Sequence, residues 1–266
     1  MSPKVTIVTP SFNQAGFLER TLQSVLGQTY PQIEYIVIDG GSTDGSVEII
    51  QKYAARLSHW ESAPDQGPAS AINRGFARGT GAIHAYLNSD DLYEPDAVER
   101  AVDALSKGPG PAVLYGDVRF IDAGGAPTTF PGKRVETYRA APFMAGALFH
   151  EAMFIPQQAS FWHPGVFARV GPMNEENWTC WDHEFFVDAA LAGVPFVRVP
   201  RVLASFRIHA TSISSENRWQ DRRERDHLRI DRKIAAAGYA KGRAKGLAYR
   251  QAVRLLRALR TAVPSL

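Results

Sequence analysis

The chain has 266 residues, of which 45% are hydrophobic and 21% are charged, and its formal net charge is +3 at pH 7. This composition is ordinary for a globular chain with one large core or two small ones, and the single Cys180 excludes an internal disulfide and a cysteine-rich metal site. No segment approaches the roughly 18 apolar residues that span a bilayer, and the first residues do not resemble a signal peptide. We therefore expect a cytoplasmic protein.

The charge is unevenly distributed along the chain. Residues 211–266 hold 14 Lys and Arg and 5 Asp and Glu, whereas residues 1–210 hold 16 Lys and Arg and 22 Asp and Glu. An acidic first part is not the profile of a nucleic-acid-binding domain, so we expect no nucleic-acid partner. We predict one domain over residues 1–210 and a basic helical extension over residues 211–266.

Strand and helix patterns alternate from the start of the chain. A β-branched run between Pro3 and Pro10 predicts a buried parallel strand, and apolar residues from Phe17 to Leu26 are spaced as on one face of a helix. The same alternation continues twice more before a short apolar run that ends in two aspartates. The later segments are strand 33–38, helix 47–53, short strand 59–61, a helix from Gly67-Pro68, and strand 82–87.

This alternation predicts a mostly parallel, doubly wound α/β sheet with right-handed crossovers. In such sheets ligands bind outside the carboxyl ends of the strands. The polar clusters of this half all follow predicted strands, and we expect them to meet at one edge. They are Pro10-Ser11-Phe12, Asp39-Gly40-Gly41, Asp65-Gln66-Gly67 and Asn88-Ser89-Asp90-Asp91.

The acidic pair Asp90-Asp91 has two interpretations. It could be a turn before a helix N-terminus, because Glu94-Pro95-Asp96 follows. It could also bind a hard divalent cation together with substrate phosphates. The Gly-rich segment 39–45 could bind a pyrophosphate, but it lacks the Gly-x-Gly-x-x-Gly spacing of dinucleotide-binding proteins.

The second half has fewer clear patterns. Gly124-Gly125 and Pro127 indicate a hairpin, and residues 123–165 show no helical period, so we expect antiparallel strands there. A helix pattern over residues 181–191 places Asp182 in its first turn, where a carboxylate also has a structural use. A strand over residues 202–209 ends at His209, and a lone histidine is usually structural.

The last residues form an amphipathic pattern with an apolar face and neighbouring arginines. Such a helix could lie on an anionic membrane surface, dock on its own domain, or contact a second subunit. The sequence leaves these three alternatives open. The apolar positions are Ala252, Leu255, Leu256, Leu259 and Val263, and the basic positions are Arg250, Arg254, Arg257 and Arg260.

Taken together and in this order, the motifs resemble those of the family 2 glycosyltransferases, inverting enzymes of the A-type glycosyltransferase fold. The resemblance covers about residues 4–210. It is carried by Thr9-Pro10-Ser11-Phe12-Asn13-Gln14, residues 38–46, Asp65-Gln66-Gly67, Ala71-Ile72-Asn73-Arg74-Gly75-Phe76, Leu87-Asn88-Ser89-Asp90-Asp91, Trp181-Asp182-His183-Glu184 and Phe206-Arg207-Ile208-His209.

The resemblance implies a nucleotide and metal site. Asp91 and His209 are implied as ligands of Mn²⁺ or Mg²⁺, and Asp90 as a partner of the ribose or of metal-bound water. The remaining nucleotide and donor contacts would come from Pro10, Ser11, Phe12, Asp39, Asp65, Arg74, Asn88 and Ser89.

The resemblance also implies a catalytic base, Asp182. Gln158, Trp162 and Trp181 are implied on the donor-sugar or acceptor side, although Trp162 could equally pack in the core. In the family, the residue before the catalytic base is usually acidic or small, and Trp181 departs from that pattern. Thr211-Ser212-Ile213-Ser214 also lacks the basic residue that often follows the histidine.

The implied activity is inverting transfer of a sugar from a nucleoside diphosphate sugar to a hydroxyl acceptor. UDP is favoured over GDP and dTDP as the nucleotide of the donor. The acceptor would be a saccharide or a lipid-linked molecule of bacterial surface polysaccharide, lipopolysaccharide or glycolipid synthesis. A membrane contact at the inner face through the basic helix and a homodimer stay open. The alternatives are a sugar-nucleotide nucleotidyltransferase, a non-catalytic carbohydrate-binding module and, third, a reductase.

Overall fold

The computed structural model describes residues 2–108, 110–132, 135–150, 154–213, 219–239 and 242–262, which form a β-sheet flanked by helices. The strands are β1 Val5–Ser11, β2 Ile33–Asp39, β3 His59–Ser62, β4 Ile83–Tyr86, β5 Leu92–Tyr93, β6 Val113–Ile121, β7 Thr137–Tyr138, β8 Ser160–Trp162 and β9 Phe196–Arg207. The helices are α1 Ala15–Leu26, α2 Ser46–Tyr53, α3 Pro68–Arg78, α4 Ala97–Ser106, α5 Ala145–His150, α6 Gly165–Val170, α7 Trp181–Leu191, α8 Gln220–Ala236 and α9 Arg243–Ala262.

The sheet is mixed. Its strands lie in the order β3-β2-β1-β4-β8-β6-β9-β5, with β7 beside β6. The first four strands are parallel, as the alternating pattern predicts, and β6 and β9 are also parallel. However, β8 runs antiparallel to both β4 and β6, and β5 runs antiparallel to β9. The sheet is therefore less parallel than the sequence pattern indicates, because strand and helix cease to alternate after β6.

Strand β1 lies in the centre of the parallel half, and all of its residues are buried. Helix α3 packs closely on it because Gly75 has no side chain. A Cβ atom at Gly75 would lie 2.5 Å from Cγ1 of Val8. The helix begins at Pro68 directly after Gly67, whose φ of 110° favours glycine. These two glycines bring α3 to the edge of the sheet where the polar clusters lie.

The second half differs in part from the expectation. The hairpin turn forms over residues 122–126, where the amide of Asp122 donates to the carbonyl of Ala126 at 2.8 Å. Residues 145–150 form α5, a helix that the sequence pattern did not predict, and residues 165–170 form α6. Both helices are too short for a 3.6-residue period to be distinguishable from chance.

The basic extension packs on the rest of the chain in its described parts. Ile230 and Ile234 of α8 and Val253 of α9 belong to the same buried apolar cluster as the sheet. Leu255, predicted on the apolar face, is 62% exposed and therefore does not pack on the rest of the chain. Val263 lies outside the described residues. The division at residue 210 stays a prediction, and none of the described helices is long and apolar enough to span a bilayer.

Candidate active site

The ends of three neighbouring strands place Ser11, Asp39 and Ser62 side by side. Ser11 is opposite Asp39, and Asp39 is opposite Ser62, in the parallel register of β1, β2 and β3. Asp39 is fully buried and accepts hydrogen bonds from Oγ of Ser62 at 2.7 Å and from the amide of Ser42 at 2.8 Å. Its carboxylate thus fixes the Gly-rich loop, a role additional to the predicted nucleoside contact.

The neighbouring predicted contacts differ in exposure. Pro10 is buried, whereas the ring of Phe12 is 60% exposed and available to a ligand. Oγ of Ser11 is buried with no hydrogen-bond partner among the described residues. A buried hydroxyl without a partner costs free energy, so this atom is well suited to receive a ligand.

Asp65 and Arg74 lie next to this loop. A Cβ atom at Gly40 would be 3.0 Å from Oδ2 of Asp65, so the glycine leaves room for that carboxylate. Burial raises the pKa of Asp65, Asp39 also raises it, and Arg74 opposes the rise. Arg74 is held by Glu61 at 2.6 Å. The predicted Asp39, Asp65 and Arg74 are therefore brought together at one end of the sheet.

The acidic pair follows β4 in a loop held by two other elements. Oγ1 of Thr21, on α1, donates to the carbonyls of Ser89 at 2.9 Å and Asp91 at 2.8 Å. From β9, Nε of Arg207 donates to the carbonyl of Asp90 at 2.7 Å, and the amide of Arg207 donates to Oδ1 of Asp91 at 2.9 Å. Thr21 and Arg207 were not among the predicted site residues, and both fix the loop.

His209 contacts Asp90, whereas the sequence paired it with Asp91. Nε2 of His209 lies 2.9 Å from Oδ2 of Asp90, and its Nδ1 lies 3.0 Å from Oγ1 of Thr211. Asp91 is fully buried, and its Oδ2 has no hydrogen-bond partner in the part of the chain that the structure describes. Burial, together with the charge of Asp90, raises the pKa of Asp91 well above its usual value. The imidazole of His209 thus contacts Asp90 directly, while the pairing of Asp91 with His209 as metal ligands stays a prediction.

Two glutamines complete this side of the site. Gln157 donates to the carbonyl of Tyr86 at 2.8 Å and accepts from Asn88 at 3.3 Å. Gln158 is buried, and its side-chain amide and that of Asn88 lower the pKa of Asp91 against the effect of burial. Gln158 is therefore a neighbour of the acidic pair. Gln157, which the sequence did not single out, orders the same loop.

Asp182 lies at the start of α7, where its carboxylate faces the helix's own first amides. Burial raises its pKa to about 6, and the backbone amides of His183 and Asp182 oppose this rise. Burial raises the pKa of the Tyr86 hydroxyl well above its usual value, and the carboxylates of Asp182 and Asp91 add to this rise. Tyr86, at the end of β4, thus connects the acidic pair with the predicted base.

The two predicted aromatic contacts are buried. Trp162 has no exposed surface and packs against Phe76 and Phe185, so of its two alternatives the structure supports core packing and not a position facing the donor sugar or acceptor. Trp181 is 7% exposed, and its Nε1 donates to the hydroxyl of Tyr86 at 2.9 Å. Trp181 therefore positions Tyr86 from within the protein instead of facing a ligand.

Among the described residues no group of three or more His, Cys, Asp and Glu side chains surrounds a metal-sized space. Asp90 and His209 form a pair of suitable donors. Their side-chain atoms lie 2.9 Å apart, which is a hydrogen-bond distance. An imidazole nitrogen and a carboxylate oxygen are both donors that a divalent cation accepts, so this pair could hold one together with substrate phosphates.

Comparison with known proteins shows what this site belongs to. A model of glycosyl transferase family 2 matches residues 6–159. The chain belongs to this family. An uncharacterized glycosyltransferase of Mycobacterium tuberculosis is 34% identical over 209 residues, covering 77% of this chain and 75% of the relative. A PGL/p-HBAD biosynthesis glycosyltransferase of Mycobacterium bovis is 30% identical and covers 65% of this chain and 64% of its own length.

Solved structures agree on the fold. Staphylococcus aureus TarS 1-349 in complex with UDP-GlcNAc superposes with a TM-score of 0.67 at 16% identity, over 91% of this chain and 68% of that one. The chain spans 37% of the longer TarS structure. The mannosyltransferase PcManGT of Pyrobaculum calidifontis, in complex with GDP-Man and Mn²⁺, superposes with a TM-score of 0.66 at 19% identity. The match covers 100% of this chain and 77% of that one. The predicted A-type glycosyltransferase fold is thereby confirmed.

Proposed function

We propose that this glycosyltransferase transfers a sugar from a nucleoside diphosphate sugar to an acceptor hydroxyl, with inversion at the anomeric carbon. The observation that carries the proposal is the placement of three groups around β4. Asp90 follows the strand and contacts His209, Tyr86 ends the strand, and the carboxylate of Asp182 at the start of α7 helps to raise the pKa of the Tyr86 hydroxyl. The complexes of TarS with UDP-GlcNAc and of PcManGT with GDP-Man support a nucleotide-sugar donor.

The nucleoside would lie at the ends of β1 and β2. Phe12 offers an exposed ring for the base, and Oγ of Ser11 offers a buried hydroxyl without a partner. Asp39 and Asp65 would accept from the base or the ribose, and Arg74 would approach the nucleotide. UDP is our first choice of nucleotide, with GDP and dTDP as the alternatives.

The diphosphate would lie at Asp90 and His209, which would hold Mn²⁺ or Mg²⁺. When bound, the ion neutralises negative charge on the leaving diphosphate. Thr211 contacts Nδ1 of the histidine and so helps to orient the ring, and Nε2, which lies beside Asp90, would be the nitrogen that binds the ion. The Mn²⁺ in the PcManGT complex supports the choice of metal.

Asp182 would accept the proton of the attacking hydroxyl. This hydroxyl has a pKa far above neutrality, so it must lose its proton as the new bond forms. A carboxylate with a pKa of about 6 is ionised at neutral pH and is a better proton acceptor than an ordinary aspartate. Attack on the face opposite the diphosphate inverts the anomeric centre without a covalent intermediate.

We further propose an acceptor from cell-surface polysaccharide or glycolipid synthesis, a saccharide or a lipid-linked molecule. The relative named for PGL/p-HBAD biosynthesis supports this. The predicted cytoplasmic location, at the inner face of the membrane, belongs to the same proposal. The described α9 packs on α5 through Val253 and Tyr249, so membrane contact would use its exposed face, which includes Arg250 and Arg254.

The test is a nucleotide-release assay. Purified chain is incubated with UDP-glucose, UDP-GlcNAc and GDP-mannose, with Mn²⁺ or with a chelator, and with a panel of alkyl glycosides. We expect Mn²⁺-dependent release of UDP or GDP and a product of inverted anomeric configuration by proton NMR. Pyrophosphate release from a nucleoside triphosphate and a sugar phosphate would instead indicate the nucleotidyltransferase. Sugar binding without nucleotide binding would indicate the non-catalytic module.

A further inference from the structure

A small basic cavity lies between α8 and the segment that leads into α7. Its volume is ≈ 200 Å³, and it is lined by Glu176, Trp178, Arg222, Arg225, Asp226 and Arg229. The site described above uses none of these residues. The cavity therefore needs its own explanation.

The acidic side chains of this cavity are already engaged or exposed. Asp226 is buried and accepts from Oγ1 of Thr179 at 2.8 Å and from the amide of Trp178 at 3.1 Å. Arg229 lies 3.5 Å from Asp226 and 3.8 Å from the buried Glu184. The charge of Arg229 is thus balanced, and Asp226 serves to anchor the segment before α7.

Arg222 and Arg225 remain without a carboxylate partner among the described residues. The guanidinium of Arg222 lies 4.4 Å from the ring centroid of Trp178 and 5.4 Å from that of Trp219. Such stacking holds a guanidinium in place while leaving its N–H groups free. Nε of Arg225 donates only to the carbonyl of Asp221, at 3.3 Å. The stacked Arg222 and the exposed Arg225 on the same helix can together donate to a phosphate or a carboxylate.

The cavity adjoins the candidate active site through Trp178. A Cβ atom at Gly67 would be 3.2 Å from the Trp178 ring, and Gly67 belongs to the same loop as Asp65. Along the chain, Trp178 precedes Asp182 by four residues, and the intervening Thr179 is fixed by Asp226. The donor diphosphate has its place at Asp90 and His209, on other elements. An anion in this cavity would therefore lie beside the segment that leads into α7, whose first turn holds Asp182. An acceptor must approach this predicted base.

We propose that Arg222, Arg225 and Trp178 bind an anionic group of the acceptor, a phosphate or a carboxylate next to the sugar that is glycosylated. This inference rests on the proposed function, because only an acceptor needs to approach Asp182. It narrows the acceptor class to acidic saccharides or phosphate-bearing glycans and lipids. Neutral alkyl glycosides would then be poor acceptors.

The experiment is a titration of tryptophan fluorescence in the full chain. The probes are glucose 6-phosphate, glucuronate and neutral glucose, the first two separating a phosphate site from a carboxylate site. We expect saturable binding of one anionic sugar and none of glucose. In the Arg222→Gln/Arg225→Gln variant that affinity should fall about tenfold or more, and Arg222→Lys should lose part of it because a lysine cannot make two parallel bonds.

The control is Arg232→Gln, which removes one positive charge, against two in the double variant, from an exposed position of α8 outside the cavity. The control should bind as the wild type does. Equal loss in Arg232→Gln and the double variant, no loss in the double variant, or binding of neither anion by the wild type would overturn the inference. Thermal stabilisation by UDP with Mn²⁺ is measured on the same samples. Its presence keeps the proposed function intact even if the anion site fails, and its absence counts against the proposed function alone.

Discussion

Nε2 of His209 lies 2.9 Å from Oδ2 of Asp90, although the two residues are 119 positions apart in the chain. The contact joins the loop after β4 to the residues after β9. It forms because Arg207, two residues before His209, bonds both the carbonyl of Asp90 and the carboxylate of Asp91. The geometry assigns different roles to the two aspartates, since Asp90 faces the histidine and Asp91 is buried.

Asp90 and Asp91 should therefore respond differently to the same substitution. We expect Asp90→Asn and His209→Ala to weaken Mn²⁺-dependent UDP binding by more than about tenfold, because each removes a donor from the pair. Asp91→Asn should keep most of that binding. Calorimetry with UDP and Mn²⁺ on the three variants measures this difference. A larger loss in Asp91→Asn than in Asp90→Asn would contradict the assignment.

Arg207 should be essential for stability as well as for the site. Its side chain is fully buried, and it lies 5.1 Å from the ring centroid of Phe17. Arg207→Met removes the hydrogen bond from Nε to the carbonyl of Asp90 and the positive charge beside Asp90 and Asp91, whereas the backbone amide still donates to Asp91. We expect a loss of about 3 kcal/mol in the free energy of unfolding. Urea denaturation measures the change. Arg201→Met, at an exposed position of the same strand, is the control and should change stability little.

Lys233 should fix α8 on α7. Its Nζ lies 2.8 Å from Oε1 of Glu184 and 2.7 Å from Oδ2 of Asp188. Lys233→Met leaves two carboxylates close together, and because the lysine is about one third exposed we expect a loss of only about 1–2 kcal/mol. Thermal unfolding at pH 7 measures it. An unchanged melting temperature would mean that these ion pairs do not hold the helix.

The pKa of Asp182 predicts the pH dependence of turnover. Burial raises this pKa to about 6, and the base must be ionised to accept a proton. Activity should therefore fall below about pH 6, and the limiting slope of log kcat/KM against pH should approach one. A pH profile at constant ionic strength measures it. Activity that stays constant down to pH 4.5 would contradict the assigned base.

The sequence predicted the positions of most site residues but not all of their contacts. The parallel strands β1 to β4 follow from local periodicity, and they place Ser11, Asp39 and the acidic pair at one edge by topology alone. By contrast, the partner of His209 depends on how β9 aligns beside β6 and β5. That alignment is a long-range property which no local pattern specifies.

Burial explains the remaining differences. Trp162 occupies a short antiparallel strand between β4 and β6, so both of its faces meet protein. An aromatic residue in a polar motif looks the same in sequence whether it faces a ligand or the core. Arg207 was missed for a similar reason, since an arginine at a strand end is usually exposed, and its burial becomes favourable only beside the half-buried Asp90 and the buried Asp91.

Asp182→Asn tests the proposed mechanism most directly, because it keeps the shape of the side chain and removes its basicity. We expect transfer to fall by about 10²- to 10⁴-fold while calorimetry shows unchanged affinity for the nucleotide sugar with Mn²⁺. Wild-type turnover in this variant, or loss of donor binding together with transfer, would contradict the role of Asp182 as the base that activates the acceptor.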